Sequence, residues 1–333
     1  MLITQFLKNT AKLPIESLAG RIGLHRRRSA ESRLWIMMYH RILPKHDARY
    51  SQEEPGMITE PDTFRLHLQI LKQEFTIIPL SEWIDRKNQN LPLPEKACAI
   101  TFDDGWLDNF EYALPVLVEE QVPMTLFAVS HMIGTCGQFW PNRILNLLQL
   151  AGDELGRIPW LHKLVGENPA DSEISAQAIY SLKNYPDDQL LELIEQAEID
   201  LSISPPTIPS LMSWTQLREL SANDLIEIGS HTCHHLRLTD GLNPDTRLRE
   251  ISESKIRLES ELDKPVELFC YPNGDYCNVT VKEVAKHYKA AVTTERGINY
   301  AGVINPYVLH RIGVHQDISD NRRRLLARIA NWP

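Results

Sequence analysis

Ala97-Cys98-Ala99-Ile100-Thr101-Phe102-Asp103-Asp104-Gly105 is the segment on which the fold turns. Its first six residues carry no charge and lie between Lys96 and two carboxylates. A run this short and this apolar reads as a strand buried on both faces. The residues that follow, Asn109 to Glu120, have a helical pattern, and Met124-Thr125-Leu126-Phe127-Ala128-Val129 is a second buried-type strand. Strand, helix and strand at this spacing predict a parallel crossover.

The same rhythm extends in both directions. Upstream, Leu34-Trp35-Ile36-Met37-Met38-Tyr39 is an apolar run ending at His40, and Pro61-Asp62-Thr63 opens a helix with Phe64, Leu68 and Leu71 near helical spacing. Ile77 to Leu80 reads as a short strand. Downstream, strands are expected at Ile226–Gly229, Leu268–Tyr271, Ala290–Thr293 and Val308–Val314. Between the two halves, residues 141–209 show helical patterns (Ile144, Leu147, Leu148; Leu190, Leu191, Ile194), no strand, and a Pro-rich end at Ser204-Pro205-Pro206. The expected fold is therefore α/β: a distorted (β/α) barrel of about seven strands with a mostly helical insertion. The expected divisions are an N-terminal helical arm (1–33), a first barrel part (34–140), the insertion (141–209) and a second barrel part (210–333).

With 333 residues, 43% hydrophobic and 24% charged, the chain can bury a core without disulfides. A net charge of −9 argues against a nucleic-acid partner, whose binders carry surplus Lys and Arg. The dense basic run His25-Arg26-Arg27-Arg28 reads first as a solvated patch and second as a contact for anionic lipid head groups. Leu2, Ile3, Phe6 and Leu7 can form one face of a short amphipathic helix, packed on the protein or laid on a membrane surface as a peripheral contact. Five dispersed cysteines read as reduced thiols, and no secretory h-region or run of roughly 18–20 apolar residues stands out, so a cytoplasmic location is expected.

Two clusters carry chemistry. Adjacent carboxylates directly after a buried strand are costly unless paired, hydrogen-bonded or bound to a cation. Strand side chains alternate faces, so Asp103 and Asp104 share a pocket only if the chain turns there, and Gly105 permits the turn. A solvent-facing turn is the plainer alternative. The second cluster, Gly229-Ser230-His231-Thr232-Cys233-His234-His235, again follows an apolar strand. His231 and His235 are four apart, so one helical turn would bring their imidazoles together; His234 would point elsewhere. One Asp and two neutral His make three ligands for a divalent metal with a place left for water, and the other Asp is then free to act as base. An aspartyl phosphatase would need Asp-x-Asp, and a glycosidase has no use for the His pair.

Thr101-Phe102-Asp103-Asp104-Gly105 and His231-Thr232-x-x-His235 resemble the first two motifs of the polysaccharide deacetylase (NodB-homology, carbohydrate esterase) family. The resemblance runs from about Leu34 to Val314, interrupted by the insertion. It implies a metal-dependent hydrolase removing N-acetyl groups from a sugar of a polysaccharide or its precursor. On that resemblance Asp104, His231 and His235 hold the metal, usually zinc (Zn2+), and Asp103 is the catalytic base. Phe269-Cys270-Tyr271-Pro272-Asn273-Gly274 resembles the third motif, with Cys270 where many members have an Arg that orients the base. Leu309-His310 is the nearest match to the fifth motif, one residue short in spacing, which makes His310 the expected general acid, with His40 and the protonated Asp103 as the other candidates. Tyr39-His40 resembles a pair at the end of the first strand in some branches. His40, Tyr271 and Asn273 are expected to contact substrate, and Trp106, Trp140, Tyr271 and Tyr276 are aromatic groups suited to stacking on a sugar. The alternatives are a hydrolase of amides or formamides on a lipid-linked sugar, and a carbohydrate-binding homologue with little activity. The missing Arg favours the second, as does the fourth motif's Trp, which is not evident near Ala291-Val292-Thr293-Thr294; the intact Asp-Asp and His-x-x-x-His argue against it.

Overall fold

The computed structural model of the protein describes residues 16, 18–54, 56–166 and 171–331. Leu2, Ile3, Phe6 and Leu7 lie outside the described residues. Seven parallel strands close a ring: β1 (Arg33–Tyr39), β2 (Lys96–Asp104), β3 (Met124–Ala128), β4 (Ile226–Ser230), β5 (Leu268–Cys270), β6 (Ala290–Arg296) and β7 (Leu309–Gly313). Each strand pairs with the next in sequence, and β1 closes the ring by pairing with both β2 and β7. The expected barrel is thus present, and it is closed. The strand expected at Ile77–Leu80 is instead Thr76–Ile77, which pairs with β2 outside the ring, and Leu80 opens the helix Leu80–Asn88.

The two-residue period of a strand sorts the side chains into two sets. Leu34, Ile36, Ala97, Ala99, Phe127, Leu268, Cys270, Ala290, Val292 and Leu309 form one buried cluster, which fills the barrel. Small residues at 97, 99 and 290 suit the narrow bore of a seven-stranded ring. The alternate residues, among them Trp35, Met37, Tyr39, Ile100, Phe102, Phe269, Tyr271 and Ile312, belong to a second cluster shared with the surrounding helices. That cluster takes in Phe64, Leu68 and Leu71 of the helix Pro61–Glu74, whose apolar spacing the sequence displays.

Between β3 and β4 the described residues form helices at Trp140–Ala151, Pro159–Val165, Ser172–Leu182 and Asp187–Asp200. They bury an apolar cluster of their own, including Ile144, Leu147, Leu161, Ile179, Leu190 and Ile194. Arg237, beyond β4, ties this bundle to the barrel: its Nε donates to Asp187 Oδ1 at 2.7 Å, and its other nitrogens donate to the Lys183 and Tyr185 carbonyls. All five cysteines are free, and no helix among the described residues is long and apolar enough to cross a membrane.

Candidate active site

The site lies at the carboxyl ends of the strands, where barrels place their chemistry. The inward set continues at the strand ends as Asp103 and Arg311 and just beyond them as His40 and His231. Asp104 belongs by alternation to the outward set, and local backbone geometry brings it back. Asp104 has φ +78° and Gly105 φ +89°, and the Gly105 N–H donates to the Asp103 carbonyl at 3.0 Å, closing a three-residue turn. A Cβ at 105 would also meet Ile133 Cδ1 at 2.8 Å, so glycine is required there for space as well as for φ. Both carboxylates consequently open into one cavity of about 270 Å³.

The His231–His235 segment is a loop, in place of the expected helical turn. Thr232 and His235 have φ +68° and +62°, and the His235 N–H donates to Thr232 Oγ1 at 2.9 Å. The buried Glu250 carboxylate accepts from the Cys233 and His234 N–H groups at 3.0 and 2.9 Å and lies 2.6 Å from His234 Nδ1. His234 is thereby held on the surface, away from the pocket. The rings of His231 and His235 meet with centroids 4.8 Å apart. His231 Nδ1 is 2.8 Å from the Cys270 carbonyl, which can only accept, so its Nε2 carries the lone pair.

Asp104 Oδ1 stands 3.5 Å from His231 Nε2 and 3.6 Å from His235 Nε2. A tetrahedral zinc with ligand bonds of about 2.0–2.2 Å spaces its donor atoms roughly 3.4 Å apart. The three donors fit such an ion. Burial lowers the pKa of both imidazoles, which keeps them neutral as ligands. Burial, joined by the Asp103 charge, pushes the Asp104 carboxyl well up, a cost that a cation between these groups would relieve. Asp104 Oδ2 accepts from Trp106 Nε1 at 2.8 Å, and the Trp106 ring lies under the Arg41 guanidinium at 4.1 Å. This anchoring leaves Oδ1 directed at the imidazoles.

Asp103 is held separately. Arg311 donates to both its oxygens at 2.7 Å, and Cys270 Sγ lies 3.6 Å from Oδ2. Burial raises the Asp103 pKa, but the Arg311 charge and its paired hydrogen bonds outweigh it and hold the carboxyl well below the usual range. Arg311 therefore stands in for the guanidinium that appeared to be missing at Cys270. Two signals could have revealed it: an arginine inside an apolar strand needs an anion, and alternation from Leu309 turns 311 inward.

That same alternation corrects two expectations. His310 faces outward; its half-exposed ring lies 3.6 Å from Glu295, remote from the pocket. Tyr271 follows Phe269 to the outer face, where its hydroxyl donates to the Tyr307 carbonyl at 3.0 Å and its ring packs on Tyr276. Neither tyrosine lines the cavity. His40 does, with Nε2 3.7 Å from Asp103 Oδ2 and a pKa lowered to about 4 by burial. Asn273, at φ +61°, also lines it, as do Trp106 and Trp140. The helical bundle contributes Trp140, Asn142 and Lys183 to the rim. Asn142 Nδ2 donates to the buried Glu53 at 3.0 Å, fastening that rim to the barrel.

A closed parallel barrel with paired carboxylates and imidazoles at the carboxyl ends of its strands has the groups that hydrolytic chemistry requires. Residues 90–292 match the family described as polysaccharide deacetylase, and the chain belongs to that family. The family acts on N-acetylated carbohydrate. YxkH of Bacillus subtilis, named for the same family, is 24% identical over 291 residues, covering 86% of this chain and 74% of that one. Among solved structures, the deacetylase PplD of Streptococcus pyogenes superposes with a TM-score of 0.57 at 20% identity, over 87% of this chain and 96% of that one. IcaB from Ammonifex degensii gives a TM-score of 0.58 at 19% identity, over 90% and 97%. At these identities the likeness shows the fold.

Proposed function

We infer that the chain is a metal-dependent N-deacetylase of a polysaccharide or its precursor. The observation that carries this reading is the division of labour between neighbouring aspartates. Asp104 Oδ1 is equidistant from two imidazoles, while Arg311 keeps Asp103 apart and ionised. Asp104, His231 and His235 would hold a divalent cation, and their donor chemistry favours zinc. Such an ion, when bound, polarises an acetamide carbonyl and lowers the pKa of water.

Asp103 accepts the proton of the attacking water as general base. Cys270 keeps His231 in the tautomer that presents Nε2, through its carbonyl. The departing amine is a poor leaving group and needs a proton. His40, beside Asp103, replaces His310 as the side chain placed to deliver it, either directly or by relaying the proton that Asp103 has taken up. Asn273 and Trp140 bound the space left for the sugar. In this reading residues 34–140 and 210–333 form the barrel, and residues 141–209 are an insertion that shapes the rim. The presence of Arg311 answers one of the two arguments for a carbohydrate-binding homologue with little activity, the missing Arg.

The test is acetate release from a panel of N-acetylated glycans and lipid-linked sugars, with and without chelator. Asp103→Asn should lower turnover by about 10²–10⁴ while leaving metal content unchanged. His235→Ala should lose the metal itself. Full activity in both variants would overturn the assignment, and release only from a lipid-linked sugar would place the substrate at the precursor stage.

A further inference from the structure

At the opposite end of the barrel the chain carries a feature the active site does not use. Residues 24–27 cover the starts of β1 and β2: Arg33 donates to the Leu24 and Arg27 carbonyls, and Lys96 to that of His25. Beside them, residues 18–22 are helical and pack against the C-terminal helix Arg322–Ile329. The packing is made by small residues. Ala19 is buried, a Cβ at Gly20 would stand 3.1 Å from Leu326 Cβ, and one at Gly23 would stand 2.4 Å from Ala330 Cβ. Large apolar side chains point the other way: Leu18 is 48% exposed and Ile22, one turn on, 42%.

Between the two helices runs a cleft of about 510 Å³, lined by Arg21, Arg26, Arg322 and Arg323 and by a single acid, Glu16. Glu16 pairs with Arg323 at 3.0 Å. Arg26 and Arg322 converge on one oxygen of the buried Glu74, at 2.5 and 3.7 Å, so one carboxylate serves two guanidiniums and leaves donors to spare. No partner for the Arg21 or Arg28 side chain occurs among the described residues. This cationic concentration sits on a chain of net charge −9. Salt screens beyond about 8 Å, so an approaching surface would feel the local arginines rather than the net charge.

We propose that this cleft and the exposed face beside it are a docking surface for an anionic lipid bilayer. Arginine forks suit phosphate oxygens, and two apolar side chains one helical turn apart, flanked by cations, suit the head-group boundary. The charge complementarity selects anionic phospholipid over a neutral surface. Docking there turns the catalytic end of the barrel away from the membrane, toward polymer in the aqueous phase.

The experiment is flotation of the full chain with phosphatidylcholine vesicles and with vesicles of phosphatidylcholine mixed with phosphatidylglycerol. Binding is expected only to the mixed vesicles and should weaken with salt. Arg21→Gln with Arg322→Gln should lower the partition coefficient roughly 30-fold, and Leu18→Ser with Ile22→Ser should lower it independently. Circular dichroism and melting confirm that each variant is folded. Failure of the wild type to float with anionic vesicles, or equal flotation of both folded variants, would overturn the proposal. So would binding of inorganic pyrophosphate, measured by calorimetry, without binding to vesicles, since the cleft would then serve a soluble phosphate.

Discussion

Arg311 and Asp103 show how much one buried contact decides. Neither is tolerable alone at full burial, because an unpaired charge in the interior typically costs 3–5 kcal/mol. Arg311→Met should therefore destabilise the fold by about 3 kcal/mol in urea titrations, and adding Asp103→Asn should recover at least half of that loss. If the double variant is no more stable than the single one, the pair is not the coupled unit described. His67 supports a different test. Its ring lies between the Tyr39 hydroxyl at 3.0 Å and the Ser319 carbonyl at 2.6 Å, which fits the neutral form with the proton on Nε2. Burial lowers its pKa to about 4, so between the ordinary 6.5 and that value the unfolded chain takes up a proton that the native chain refuses. Stability should fall as pH falls through that window, by about 1.4 kcal/mol per pH unit from this residue, reaching about 3 kcal/mol below it. His25, also held near 4, adds to the slope. His67→Gln should flatten the dependence of the urea midpoint on pH between 6.5 and about 5, above the range of most carboxylates. An unchanged slope would show that His67 titrates normally. At this scale the cluster of Asp103, Asp104, His231 and His235 was legible because costly side chains followed apolar strands. Arg311 was not read, because attention fell on its neighbour His310.

At the scale of elements, all seven ring strands were legible from short apolar segments, even where Glu227 interrupts one and His310 and Arg311 another. The turn at Asp104 was marked by Gly105, but the loop that aims His231 and His235 was not legible. Positive φ at Thr232 and His235 leaves no mark in the sequence, since neither is glycine and Thr is β-branched. The expected helical turn brought the two imidazoles together by a route the chain does not take. What holds the actual loop is Glu250, and that predicts an effect without contact. Glu250→Ala leaves two buried N–H groups unmet and frees the loop, so zinc affinity should fall about 10–100-fold in competition with a chromophoric chelator. Affinity within a factor of two of wild type would show that the loop is rigid without it. Gly105→Ala meets both adverse φ and Ile133, and should lower stability by about 1–3 kcal/mol in thermal melts.

For the whole molecule, the inward and outward sets account for the site as a single pattern. His40, Asp103, His231, Cys270 and Arg311 share the interior, while Tyr39, Tyr271 and His310 share the outside. Alternation from Leu268 and from Leu309, both in the inward cluster, places Tyr271 and His310 outside. The contacts between the insertion and the rim could not be read that way, because no local pattern specifies which helix end meets a distant barrel. If the donor set binds metal in the native state alone, saturating zinc should stabilise the protein by about 4 kcal/mol at a thousandfold excess over Kd, and chelator should reverse it. The His235→Ala variant should show no such shift.

The ring is not equally strong all round. β1 meets β2 over seven residue pairs but β7 over two, and the register between β6 and β7 slips next to Arg311. The last ring strand to leave the ribosome is β7, and it carries the cation for a carboxylate synthesised 208 residues earlier. A nascent chain halted before that strand therefore has the loops of Asp104, His231 and His235 but no cation for Asp103. If Asp103 is the base, a product truncated ahead of the final stave should stay chemically silent in an acetate-release assay.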